Sequence, residues 1–220
     1  MVFDLDGVLV PIKSSWEYLH SYFGVQDDDY RRVNVELFYK GVITYDEWMR
    51  RDLKLLTSKG CIQRDEVIKA FKVLTLNDGA DELCNYLHNL GVKTAIVSGG
   101  IDILAELVGS KLGITTIYAN KLLFDNNGCL LPYGIEVVNP LRKDAVIYKL
   151  ATLFGMSPKY FIYVGDADWD VSAFKVVGYP VLFNCSSCSK LLSELKITNY
   201  YEINNLRELT HIINKLLMSP

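Results

Sequence analysis

The chain has no excess of positive charge. Its 23 Lys and Arg are outnumbered by 26 Asp and Glu, giving a formal net charge of -3 and a pI near 5.6. There is thus no electrostatic footprint for nucleic acid or for an anionic membrane surface. No apolar run approaches the ~18 residues of a membrane span. The N-terminus runs almost at once into Asp4 and Asp6, which leaves no room for a secretory leader and sets the expectation of a cytoplasmic protein. Cysteine is sparse: Cys61, Cys84, Cys129, Cys185 and Cys188 form an odd, scattered set, which argues against a disulfide framework. Cys185 and Cys188 do make a CxxC, but a zinc site needs about four ligands. No second CxxC exists, and His20, His88 and His211 are scattered, each inside a predicted helix. The CxxC therefore reads as a loop after a core strand.

What is present fits a packed globular chain: half of the residues are apolar and 22% are charged. Short apolar runs predict strands at 2–5, 93–97, 116–119, 161–164 and 181–183. Helical patterns with glycine stops predict helices at 81–90, 101–112, 141–154, 171–177 and 206–217. Runs at 121–124 and 129–131 flank Asn126-Asn127-Gly128, whose Asn-Gly pair suits positive φ angles and marks a β-hairpin. Strands alternating with helices predict a parallel α/β sheet covered on both faces. The alternation breaks after strand one, where helices alone are predicted at 16–23, 30–39, 45–56 and 64–71. Some 60 residues of helix are too many for a simple crossover. The expected division is core at 1–12, a helical insertion at 13–76, and core again at 77–220.

Four groups stand at the carboxyl ends of predicted strands or the start of a predicted helix. Asp4 and Asp6 follow Val2-Phe3, Ser98-Gly99-Gly100 follow an apolar run, Lys143 opens a helical pattern, and Asp166 and Asp170 follow Gly165. In an open parallel sheet those strand ends share one edge, where ligands bind. Carboxylates there ask for a cation, and Mg²⁺ prefers a few carboxylates, waters and substrate oxygens over a closed protein cage. Hydroxyl, glycine amides and lysine suit phosphate, so phosphoryl transfer is the chemistry these residues point to.

The ordered set FDLDGVL, VSGG, Lys143 and VGDADWD, spanning residues 3–170, resembles the four motifs of the haloacid dehalogenase-like phosphohydrolases. The details VSGG, the helices after strand one and the hairpin bring it nearest to their phosphoserine phosphatase-like branch. The resemblance implies a Rossmann-like parallel core with helices on both faces, an inserted helical cap that closes over the site, and the small β-hairpin. It further implies Mg²⁺-dependent hydrolysis of a small phosphorylated metabolite. Asp4 would be the nucleophile that becomes an aspartyl-phosphate, and Asp6 the general acid and base. Asp4, the main-chain oxygen of Asp6, and Asp166 would hold Mg²⁺, with Asp170 beside them in a direct or supporting role. Ser98, Gly99 and Lys143 would bind the phosphoryl oxygens.

Three positions depart from the branch. Its members carry a glutamate for the substrate amino group where Lys13 stands here, which points to an anionic leaving group without an amine. A cap arginine for the substrate carboxylate falls at or next to Asp52, with Arg50 and Arg51 beside it. The usual Asn before the last acid of the fourth motif is Trp169, a bulky change close to the phosphate. A phosphotransferase or phosphomutase on the same fold, or an inactive binding or regulatory relative, are the alternative readings.

Overall fold

The structure is a computed structural model that describes residues 1–185, 192–193 and 196–218. Seven strands form one sheet: β1 (Val2–Phe3), β2 (Ala95–Ile101), β3 (Thr116–Phe124), β4 (Leu130–Ile135), β5 (Ile162–Gly165), β6 (Tyr179–Phe183) and β7 (Tyr201–Ile203), in the order β4-β3-β2-β1-β5-β6-β7. All neighbours are parallel except the β3–β4 hairpin. This is a doubly wound α/β sheet with β1 at its centre.

The strands read as continuous apolar runs because both of their faces are covered. Phe3, Ile96, Val164 and Val181 pack into one cluster, while their neighbours Val2, Ala95, Val97, Tyr163 and Leu182 pack into another. Side chains alternate across a strand, so the two clusters are the two faces of the sheet. The first face is covered by α5 (Ala80–Asn89), α6 (Asp102–Leu112) and α9 (Glu208–Met218), which contribute Leu83, Leu87, Leu104, Val108, Leu209 and Ile213. The second is covered by α7 (Lys143–Phe154) and α8 (Val171–Phe174), through Val146, Ile147, Leu150 and Phe174. No described helix is long and apolar enough to cross a membrane.

Between β1 and β2 the chain forms only helices: α1 (Ser15–Tyr22), α2 (Asp28–Tyr39), α3 (Tyr45–Thr57) and α4 (Arg64–Lys72). Each starts on a side-chain cap that satisfies amides the helix cannot. Ser14, Asp27 and Thr44 accept from the backbone at Glu17, Tyr30 and Glu47, and at α4 Glu66 Oε2 accepts from the Gln63 N–H at 2.7 Å.

Several sequence expectations are corrected. The runs 116–119 and 121–124 are one strand, β3, and at the turn only Gly128 of the Asn-Gly pair has positive φ. There Asp125 Oδ1 accepts from the amides of Asn127 and Cys129, which supplies the turn without a left-handed Asn127. The helix expected at 171–177 stops at Phe174, and β7 was not foreseen because a three-residue edge strand is too short to show a period. The expectation against disulfides also fails. Cys61 and Cys129 are bonded across 68 residues of sequence, because the stretch leading into α4 returns beside the hairpin. Leu130 N donates to Ile62 O at 2.8 Å and Arg64 N to Gly128 O at 3.1 Å, which holds the two cysteines face to face. Cys185 is disulfide-bonded as well. Cys188, the other half of the CxxC, lies outside the described residues, and Cys84 is a buried free thiol.

Candidate active site

The carboxyl ends of β1, β2 and β5 meet the amino end of α7, and every core motif residue converges there. Asp4 continues the β1 pairing through its N–H to Val164 O (2.9 Å), and the chain then turns back on itself, with Leu9 N donating to Leu5 O at 2.9 Å. Gly7 makes this turn with φ +79, and a Cβ on it would overlap Asp166 Oδ2 at 2.0 Å. Glycine is therefore required both for its conformation and for the approach of the second acid cluster.

Lys143 binds the site together. Its Nζ donates to Asp4 Oδ2 and to Asp170 Oδ1, both at 2.6 Å, with the lysine 2% exposed. Burial works against the ammonium, but Asp170 and Asp4 more than offset this and hold its pKa above the ordinary lysine value. Tyr163 also donates to Asp170 Oδ1 (2.7 Å), while the amides of Asp166 and Ala167 donate to its Oδ2 (3.0 and 3.2 Å). With four donors on two oxygens, Asp170 is fixed in place and in turn positions Lys143. Tyr163 thus belongs to the site although its sequence position inside β5 gives no sign of it.

The other acids sit under strain of charge. Burial, opposed by Lys143 and reinforced by Asp170, pushes Asp4 up to about 7, and burial with Asp170 and Asp4 pushes Asp166 up to about 8. Burial likewise raises Asp6, against the two hydrogen bonds it accepts from Ser15. Those bonds, from Ser15 N and Oγ, both go to Asp6 Oδ2 at 2.8 Å, while buried Oδ1 has no partner. Asp6 is therefore clamped by one oxygen and open at the other. Asp4, Asp166 and Asp170 each offer an oxygen within 4.8 Å of the others. An all-oxygen, crowded anionic set in which Asp4 and Asp166 are pushed up suits a hard divalent cation, whose charge would relieve the repulsion.

Ser98, Gly99 and Gly100 lie within the end of β2, not after it. Ser98 Oγ accepts from Gly100 N at 3.0 Å. A Cβ on Gly100 would lie 2.5 Å from Ser15 Oγ and 2.7 Å from Asp6 Oδ2, so this glycine lets α1 and Asp6 close onto the turn. The Gly99 carbonyl accepts from Trp16 Nε1 (3.1 Å), Tyr45 Oη (2.7 Å) and Asn120 Nδ2 (2.8 Å). Trp16 and Tyr45 come from the helical insertion, so the Ser98–Gly100 stretch and the insertion are fastened to each other. Sequence reading missed Ser15, Trp16, Tyr45 and Asn120. Only Ser15 carried a local signal, as part of the polar pair that opens α1.

A cavity of about 420 Å³ opens from these groups, walled on the far side by the insertion. Lys13, Asp52 and Trp169 line it, as do Glu17, Arg31, Trp48 and Met49. Lys13 is exposed. Arg50 and Arg51 do not line the cavity: Arg50 is exposed and pairs with Asp46 at 2.7 Å, while Arg51 pairs with Glu47 at 2.6 Å and donates to Asn34 Oδ1 of α2 at 3.1 Å. Besides Lys13, the insertion brings Arg31 from α2 to the cavity, which the motif spacing gave no reason to single out. Trp169 turns toward the insertion, stacking on Tyr39 at 4.7 Å and 23° and packing near Phe38 and Trp48.

A family model described as haloacid dehalogenase-like hydrolase matches residues 1–178. The chain is 28% identical to a phosphoserine phosphatase of Methanocaldococcus jannaschii, covering 97% of this chain and 96% of that protein. It is 28% identical to a phosphoserine phosphatase of Saccharomyces cerevisiae, covering 83% of this chain and 58% of the yeast protein. A solved phospho-aspartyl intermediate analogue of phosphoserine phosphatase superposes with a TM-score of 0.75 at 28% identity, over 96% of each chain.

Proposed function

The chain belongs to the haloacid dehalogenase-like hydrolases, as a phosphatase of their phosphoserine phosphatase-like branch, and from that membership we propose a Mg²⁺-dependent phosphomonoester hydrolase that works through an aspartyl-phosphate on Asp4. The observation that carries this is Lys143 Nζ, held between Asp4 and Asp170 at 2.6 Å, with Asp6 lining the same cavity and one of its oxygens left without a partner. Asp4 attacks phosphorus, and the bond to the leaving alkoxide breaks as Asp6 gives it a proton. A water then attacks the phosphoryl-aspartate while Asp6 takes its proton, which releases inorganic phosphate and restores Asp4. The raised pKa of Asp6 suits the acid half of that cycle. Ser98 and Gly99 orient the phosphoryl oxygens, and Lys143 neutralises charge on them and on Asp4. Asp4, Asp166, the Asp6 main-chain oxygen and Asp170 would hold Mg²⁺, directly or one shell out, and the ion would supply charge neutralisation at the phosphoryl group.

Residues 13–76 form the cap in this reading, over a core of residues 1–12 and 77–220. The substrate is a small phosphorylated metabolite. Lys13 at the cavity mouth favours an anionic group on it. Phosphate release from a panel of phosphomonoesters, phosphoserine included, in Mg²⁺ and in EDTA tests the reading. Metal-dependent release is expected, and an absence of release from every ester would refute it. With an added acceptor alcohol, phosphate released unchanged separates the hydrolase from a phosphotransferase.

A further inference from the structure

The cavity has room for far more than a phosphoryl group. At about 420 Å³ it falls among pockets that hold drug-sized ligands, roughly 300–1,000 Å³. Its walls away from the carboxylates are aromatic: Trp16, Tyr45, Trp48 and Trp169 line it, with Met49 beside them. Trp16, Tyr45 and Trp48 are nearly buried, at 7, 4 and 8% exposure. Trp169 is the bulky residue that stands where the resembled branch carries Asn.

These rings are already fixed in place. Trp16 Nε1 and Tyr45 Oη both donate to the Gly99 carbonyl, at 3.1 and 2.7 Å, which ties two rings to the strand end that would hold the phosphoryl oxygens. Trp48 packs edge-on against Tyr45, with centroids 5.7 Å apart at 80°, and Trp169 lies 6.3 Å from Trp48. Rings anchored in this way lose little freedom when a flat group joins them, so more of the contact energy goes into binding.

Charge does not select the occupant of this part of the cavity. Lys13 and Arg31 are matched by Glu17 and Asp52; Arg31 Nη2 stands 3.6 Å from Glu17 Oε2, and burial pushes Asp52 up to about 7. Three buried polar atoms of these residues have no partner: Trp48 Nε1, Arg31 Nη1 and Asp52 Oδ1. Buried polar atoms are nearly always paired, and two donors beside an acceptor fit the hydroxyl or heteroatom edge of a ring.

We propose that the leaving group is an aromatic alcohol: the preferred substrates are phosphomonoesters of alcohols that carry an aromatic or heteroaromatic ring, and the ring is received among Trp16, Tyr45, Trp48 and Trp169. This rests on the phosphatase reading and adds the substrate class to it. Lys13 is exposed, and meets an acidic substituent only where the ring carries one outward.

The test compares benzyl, ethyl and cyclohexylmethyl phosphate in Mg²⁺. All three are esters of primary alcohols of similar acidity, so their rates report the site and not the ease of departure. Benzyl phosphate should exceed ethyl phosphate in kcat/KM by about tenfold or more, mainly through KM, the scale of burying one ring. It should also lead cyclohexylmethyl phosphate, which fills a similar volume without a π face. In Trp48→Leu the benzyl-to-ethyl ratio should fall at least threefold. A smaller benzyl-to-ethyl ratio in the wild type, parity with or preference for the cyclohexylmethyl ester, or a ratio that holds in the variant overturns the proposal. Where the variant does not fold, the two wild-type ratios decide. Metal-dependent release from ethyl phosphate or phosphoserine without preference for the ring overturns this proposal alone and leaves the phosphatase reading standing. Release from no ester, p-nitrophenyl phosphate included, overturns both.

Discussion

Replacing Cys61 and Cys129 together by serine removes a bond whose worth follows from the chain between them. The bond closes a loop of 68 residues, and the chain-entropy relation then gives about 15 cal/mol/K, or about 4.4 kcal/mol at 25 °C. The cysteine Cα atoms stand 5.1 Å apart, inside the ordinary range for a disulfide, so little native distortion offsets that gain. The backbone bonds between Ile62 and Leu130 and between Arg64 and Gly128 survive in the variant, so the insertion stays docked and the loss falls on stability. At about 2–4 °C per kcal/mol for a chain of this size, Tm should drop by roughly 9–18 °C. Thermal unfolding followed by circular dichroism under non-reducing conditions measures it, with a thiol titration to confirm the bond in the wild type. The variant keeps every group placed at the reaction centre, and its kcat at 25 °C should stay within about twofold. A Tm within 3 °C of wild type, with the bond shown to be present in the wild type, would refute the reasoning: the denatured chain would then already hold residues 61 and 129 together.

Asp4→Asn should cut kcat by about a thousandfold or more while leaving Tm equal or higher, because burial and Asp170 disfavour the charge it removes; activity within tenfold of wild type would rule out Asp4 as nucleophile. The raised pKa values of Asp4 and Asp166, about 7 and 8, mean that the folded state holds protons the unfolded chain has lost above about pH 4. Stability in EDTA should therefore fall as pH rises from about 4 to 8, and Mg²⁺, which needs the ionised carboxylates, should raise Tm more at pH 8.5 than at pH 5.5. Equal Mg²⁺ shifts at both pH values would contradict that. Trp169→Ala deletes the stack on Tyr39, a contact of about 0.5–1.5 kcal/mol beyond its area, and should raise KM more than it lowers kcat; a fall in kcat alone would place Trp169 at the phosphate instead of at the insertion.

The acid-rich end of the candidate site was legible in the sequence because its acids and Ser98 sit at or near strand ends, with Lys143 at the start of a helix. A parallel sheet collects its carboxyl ends on one edge, so Asp4, Asp6, Ser98, Asp166 and Asp170 were bound to meet once the alternation of strands and helices was read, while Lys143 joins them through the placement of α7. Burial of β1, β2, β5 and β6 on both faces follows from the same apolar runs. The substrate end was not legible, because which face of a helix looks inward depends on how the insertion lies on the core. On α3 that orientation turns Asp52 into the cavity and leaves Arg50 and Arg51 away from it, paired with Asp46 and Glu47, with Arg51 also bonded to Asn34 of α2. Arg31 arrives from a different helix, and Trp16 and Tyr45 reach Gly99 across 83 and 54 residues of sequence. Local spacing determined the core motifs and their meeting edge. The partners of Cys61, the neighbours of Asp52 and the fastening of the insertion to Gly99 were decided only by tertiary packing, since contacts between distant segments leave no period in the chain.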